Sequence, residues 1–180
     1  VRLADDFPLQ SLFGFEFSGI EMTGFLRTEN TILVVFLALF ATRMIAKLND
    51  RTVLLTSCLV FVAGYTIISY TNNLWLLFAA MLFATIGEVL RVPVQQNYLA
   101  NLPPEHARSS YLAVNGLTYN IGNLICSITI TISAYLPKLG TTIFIAIIGF
   151  LGVLIFARIL PALDERTKVN QSINEKARLG

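Results

Sequence analysis

Glu88 and Arg91 stand three positions apart in Gly87-Glu88-Val89-Leu90-Arg91-Val92-Pro93, inside a stretch that otherwise reads as lipid-soluble helix. Positions i and i+3 are neighbours on a helix surface, so the two charges can pair, and Gln95 at i+7 continues the same face. Two chemistries fit such a carboxylate. As half of an ion pair, it locks helices together. Held away from water, a carboxyl keeps its proton more readily, whereas a nearby guanidinium favours the charged form, so the site can take up and release a proton. The two uses are compatible in different states of a cycle. Pro93 removes the backbone hydrogen bond to the Val89 carbonyl and is expected to kink the helix just beyond Glu88.

A second pattern lies further along the chain. Asn115, Tyr119, Asn123, Ser127 and Thr131 recur at every fourth position, with Asn120 beside them. That spacing puts the polar groups on one slowly drifting helix face. Such groups can serve as interhelical glue, worth about 0.6 kcal/mol each in measured cases. A stripe of about four turns more economically lines a wet cavity.

What positions these residues is a set of long apolar runs. The chain is 55% hydrophobic and 13% charged. No Asp, Glu, Lys or Arg occurs over 52–87, 109–137 or 139–157. Runs of about 18 or more apolar residues suffice to cross a ~30 Å hydrocarbon core. Polar turns and prolines divide them into five expected transmembrane helices, at about 30–48, 52–70, 74–99, 109–135 and 141–160. The expected fold is therefore all-α. Glu88 lies fourteen positions past Leu74, about 21 Å along its helix at ~1.5 Å per residue. An acid near the bilayer centre costs about 2.5–3.5 kcal/mol on insertion scales, so it must face protein or water. Trp75 sits where an interfacial aromatic anchor belongs.

Basic residues set the expected orientation. Arg43, Lys47, Arg51, Arg108, Arg158, Arg166, Lys168, Lys176 and Arg178 fall on one side, against Arg2, Arg27 and Lys138 on the other. The positive-inside rule then puts the Asn49–Arg51 turn, the Pro103–Arg108 loop and the tail at 163–180 in the cytoplasm of a multi-pass plasma-membrane protein. Residues 1–28, aromatic but interrupted by glycines and glutamates, are expected as an external loop segment resting on the membrane. The transmembrane bundle occupies 29–162. A signal peptide is not expected, for the basic start and cleavage site are missing.

The Gly87-to-Pro93 stretch, the loop Pro104-Glu105-His106-Ala107-Arg108-Ser109-Ser110-Tyr111 and the polar-striped helix after it resemble the C-terminal half of a major facilitator superfamily (MFS) transporter. The likeness is greatest to bacterial drug:proton antiporters, in which a Gly-Glu pair in the tenth helix precedes a proline. Ser109 and Ala113 stand where that family's loop pattern has glycines. The resemblance implies that the five spans are helices eight to twelve of a twelve-helix fold. The partners are then the N-terminal six-helix half plus helix seven, with the lipid bilayer, protons and a small-molecule substrate. It further implies that Glu88 and Arg91 couple proton and substrate. Gln95, Asn115, Tyr119, Asn120, Asn123 and Ser127 would line the cavity, while Asp50, Arg51, Glu105 and Arg108 would hold cytoplasmic gate loops. The implied function is proton-coupled efflux of drugs or other amphipathic or cationic compounds. Alternatives are an MFS transporter for a sugar, peptide or metabolite, or a self-contained five-helix membrane scaffold.

Other classes find little support. A net charge of +2 is too small to point to nucleic acid. Metalloprotease, nucleophile-elbow and nucleotide-loop motifs are absent, so neither an enzyme nor a cofactor or metal is expected. Cys58 and Cys126 sit in apolar runs without metal-ligand spacing and read as small packing residues. Gly64, Gly149 and Gly152 also read as packing positions, and His106 as a solvated loop residue.

Overall fold

Ser18 starts the first helix. Its hydroxyl accepts a hydrogen bond from the Glu21 N–H (3.5 Å), while its own N–H donates to the Glu21 carboxylate (2.7 Å). The two bonds form a capping box, and helix α1 runs Gly19–Ile45. It therefore begins at Gly19 rather than near Asn30, which corrects the expected loop over 1–28. Glu21, which reads as an interruption, is part of the cap of that helix. Ahead of it, β1 (Gln10–Leu12) and β2 (Phe15–Phe17) pair antiparallel, with Gln10 opposite Phe17. The computed structural model describes residues 7–12, 15–103 and 107–179, with side chains for 7–9, 16–103, 107–167 and 169.

Asparagines cap the next two helices. Asn49 accepts from the Arg51 N–H and opens α2 (Asp50–Tyr70); Asn73 accepts from the Leu76 N–H and opens α3 (Leu74–Asn101). Each side-chain oxygen satisfies an N–H that the helix cannot bond itself. Helix α4 spans Arg108–Ser133 and α5 spans Lys138–Leu179. Helix α5 does not stop near residue 160, where the sequence reading ends the last span ahead of a tail, but runs on through Pro161. Beyond the proline, Asp164 accepts a hydrogen bond from the Tyr98 hydroxyl of α3, and this anchor holds the helix past its missing backbone bond. The opposite end of α5 is fastened to α2 by the Thr142 hydroxyl on the Ser69 carbonyl (3.2 Å) and by Lys138 over the Tyr70 ring (5.1 Å).

Among the described residues, α1, α2, α3 and α5 are long and apolar enough to cross a membrane. Helix α4 has the length, at 26 residues, but its Asn, Thr and Ser content lowers its apolarity. It buries no residue, whereas α3 packs on α1 and α2, and α2 on α5.

Two apolar clusters close the ends of the bundle. At the Asn73 end, Phe7, Met22, Leu26, Leu74, Leu77 and Met81 pack together. At the Asp50 end, Val53, Leu54, Val94 and Leu160 do so, flanked by Leu90 and Tyr98. Between them α2 and α3 touch backbone to backbone. A Cβ on Gly87 would lie 2.5 Å from the Ser57 carbonyl oxygen, and one on Gly64 would lie 2.9 Å from the Ala80 oxygen. Gly149 is packed similarly, with a Cβ there 2.6 Å from Val62 Cγ1. Gly152 is not a packing position, because a Cβ there meets nothing within 4 Å.

Backbone neighbours cannot yield as side-chain tips do. Gly87→Val should therefore lower stability by about 3 kcal/mol, the upper end of ordinary overpacking costs. Gly24→Ala, at a position with nothing within 4 Å, should leave it within about 1 kcal/mol. Thermal melting of detergent-solubilised protein compares the two. Equal melting temperatures would refute the close α2–α3 approach.

Candidate functional site

Glu88 does not pair with Arg91. The Asn30 side-chain amide of α1 donates to Glu88 Oε2 (3.2 Å) and to Thr85 Oγ1 (2.9 Å), drawing the carboxylate into the α1–α3 seam. The buried Thr85 hydroxyl donates to the Met81 carbonyl (2.8 Å), so its oxygen is free to accept from Asn30. Arg91 faces the other way. Its guanidinium lies 5.4 Å over the Phe61 ring of α2, beside the Cys58 thiol. Adjacency at i and i+3 permitted a pair, but partners on different helices pull the two side chains apart. Gln95 follows Arg91, since both line a cavity between α2, α3 and α5. The expected continuous Glu88–Arg91–Gln95 face is thus divided between two seams.

The clamp leaves one carboxylate oxygen for chemistry. Among the described residues Glu88 Oε1 makes no hydrogen bond, and the side chain is only partly buried. An amide N–H can donate to a carboxylate or to the carbonyl oxygen of a neutral carboxylic acid. Oε1 is accordingly the oxygen left open while Oε2 is held by Asn30. Tyr65 of α2 completes this level of the bundle, its hydroxyl within electrostatic reach of Glu88 and Arg27. One turn along the same seam, Val34, Ala38, Ala41 and Thr42 of α1 face Val89, Val92 and Pro93 of α3 across an apolar cavity of about 270 Å³. Pro93 borders that cavity, and α3 continues through it as one helix.

The other expected site residues fall elsewhere. Asn115, Tyr119, Asn120, Asn123 and Ser127 are exposed on α4 and do not join Glu88. Asn120 and Ser127 turn back on their own helix, donating to the Gly116 (3.4 Å) and Asn123 (3.0 Å) carbonyls. Asp50 accepts from the Asn97 amide (3.0 Å), tying the start of α2 to the end of α3. Arg51 and Arg108 are exposed, and Glu105 lies outside the described residues, as does His106. Cys58 lines the Arg91 cavity and Cys126 is exposed, so neither is simply a core packing residue.

Two participants escaped sequence reasoning. Asn30 read only as a helix start, yet it positions Glu88. Glu29, beside it, has a buried Oε2 without a hydrogen-bond partner among the described residues. The available signal is the polar run Arg27-Thr28-Glu29-Asn30-Thr31 preceding an uninterrupted apolar stretch; the expected boundary between loop and helix falls inside it, so it reads as a junction rather than as part of one helix.

Long apolar helices packed around the clamped Glu88 carboxylate are the architecture of a multi-pass membrane protein. The sequence matches the Major Facilitator Superfamily over residues 7–179, and the chain belongs to that family of transporters. It is similar to a Na(+), Li(+), K(+)/H(+) antiporter of Planococcus maritimus, at 31% identity over 147 residues. That alignment covers 82% of this chain and 35% of the relative, so the chain spans about a third of the relative's length. No solved structure matches significantly.

Proposed function

We propose that this chain is the C-terminal part of a secondary active transporter that exchanges protons for a cationic cargo, with Glu88 as the group both compete for. The observation that carries this reading is the α1–α3 seam. A carboxylate fixed at Oε2 and open at Oε1 stands one turn from an apolar cavity of about 270 Å³. Cation and proton then exclude each other at one charge. The cavity suits the apolar body of an amphipathic organic cation, the cargo class of drug efflux, since its volume approaches the lower end of ordinary ligand pockets, ~300 Å³. A second reading, a bare alkali cation, draws on the relative's name and on the Thr85 and Glu88 oxygens that meet at the Asn30 amide.

The full-length transporter in acid-loaded proteoliposomes separates the cargoes. Ethidium should discharge the pH gradient, as reported by an internal pH dye, if organic cations are carried. NaCl, LiCl or KCl should do so if alkali cations are, with choline chloride as control. A gradient that survives both additions would sink proton antiport.

In this reading the Asp50 end of the bundle is cytoplasmic and the protein resides in the plasma membrane. Asp50 and Arg51, with Glu105 and Arg108, serve as gate charges there, and Asp50 already bonds Asn97 of α3. Single cysteines placed at Asn72 and Lys138 should react with an impermeant maleimide from outside intact cells, and one at Lys168 only after permeabilisation. The reverse pattern would overturn the orientation.

A further inference from the structure

Among the described residues, Arg91 is a charge without a countercharge. Its Nε is buried and has no hydrogen-bond partner among the described residues. Its contacts are the Phe61 ring and the Cys58 thiol, and the carboxylate nearest in sequence, Glu88, is committed to Asn30 on another seam. A guanidinium inside the bilayer is costly unless it is paired, and its N–H groups call for acceptors. Beside it lies a cavity of about 300 Å³ between α2, α3 and α5, walled by Leu54, Phe61, Val62, Val153 and Phe156. Gly152 leaves one wall open, since nothing stands within 4 Å of where its Cβ would be. One fixed cation, with the Gln95 amide and the Cys58 thiol beside it and apolar walls beyond, is complementary to an amphipathic anion.

Depth selects the kind of anion. Arg91 lies about 5 Å beyond the midpoint of α3 at ~1.5 Å per residue. Bilayer phosphates stay ~15 Å or more from the midplane, so a phospholipid headgroup would have to be drawn far inward. A carboxylate on a single acyl chain carries a small headgroup and can sit deeper. We propose that the cavity between α2, α3 and α5 binds a single-chain amphipathic carboxylate from the membrane, its headgroup on the Arg91 guanidinium and its chain along Val62, Val153 and Phe156. This site is separate from the Glu88 seam and opposite to it in charge preference.

Equilibrium binding of radiolabelled oleate to the full-length protein in phosphatidylcholine nanodiscs tests the site, with methyl oleate and phosphatidylglycerol as competitors. Wild-type protein should bind oleate saturably, and neither competitor should displace it. Arg91→Gln should weaken binding about tenfold or more, as expected for loss of a charge-assisted hydrogen bond, while Arg91→Lys should retain part of it. Gly152→Phe fills the chamber from a position with room for a side chain and should abolish binding, which keeps the test decisive if Arg91→Gln fails to fold. Equal oleate binding in wild type, Arg91→Gln and Gly152→Phe would overturn the site. Displacement by methyl oleate would overturn the role of charge, and displacement by phosphatidylglycerol the single-chain assignment.

Discussion

Glu88→Gln in the full-length transporter should reduce pH-driven exchange to the background leak of the vesicles. The introduced amide has nearly the volume of the carboxyl and keeps an oxygen for the Asn30 donor, so the α1–α3 clamp survives. What disappears is titration, and with it the competition between proton and cargo. A cationic cargo should also bind about tenfold more weakly, because it loses its countercharge in a low-dielectric seam. Glu88→Asp keeps the charge on a shorter stem, pulls it from Asn30, and should retain partial exchange. A structural ion pair with Arg91 would behave otherwise: a Glu88→Leu/Arg91→Leu double variant would recover transport, as buried pairs can be replaced by apolar residues. Since the two side chains face different seams, the double variant should be as inactive as Glu88→Gln. Full activity of the double variant, corrected for protein amount, would show that Glu88 carries no proton.

The second large effect concerns the 180 residues taken alone. They should move no ethidium and no alkali cation in proteoliposomes, whatever gradient is applied. Transport sites in this superfamily lie between two repeats, and α4 presents its polar stripe to no partner among the described residues, burying none of its 26 positions. Supplying the rest of the transporter as a separately expressed chain should restore exchange and protect cysteines placed at Asn115 and Asn123 from water-soluble maleimide. Gradient-driven uptake by the 180 residues alone would overturn the reading of the chain as one part of a larger transporter.

Helix positions were legible in the sequence because charge-free runs and polar turns are composition signals, and they put α2, α3 and the start of α5 within a few residues of place. The start of α1 was misread: Ser18 and Glu21 look like loop residues until their spacing is recognised as a cap. The end of α5 was misread because Pro161 is a breaker only where nothing downstream holds the helix, and Tyr98–Asp164 is a tertiary contact. Glu88 was found by being an acid in an apolar run. Its partner was not, because i and i+3 spacing describes one helix, whereas the choice between Arg91 and Asn30 is made by the helix across the seam. Likewise the α4 stripe was visible as a period, but a period does not say what it faces.

The contrast between the two seams of α3 bears on how the transporter could move. At Gly64 and Gly87 the α2 and α3 backbones leave no space for even a methyl group, whereas at Gly149 α5 meets only the Val62 side chain of α2. Two helices so interlocked turn together, as a single rigid arm. The α1–α3 seam is laced by one amide nitrogen donating to two oxygens beside a void, and most of α1 beyond Asn30 is open. A polar lace can lengthen by an ångström and re-form, but a welded backbone seam cannot. If Glu88 is the exchange site proposed above, a stroke that alters access to it slides along α1, with Asn30 as the bearing on which the α2–α3 arm swings.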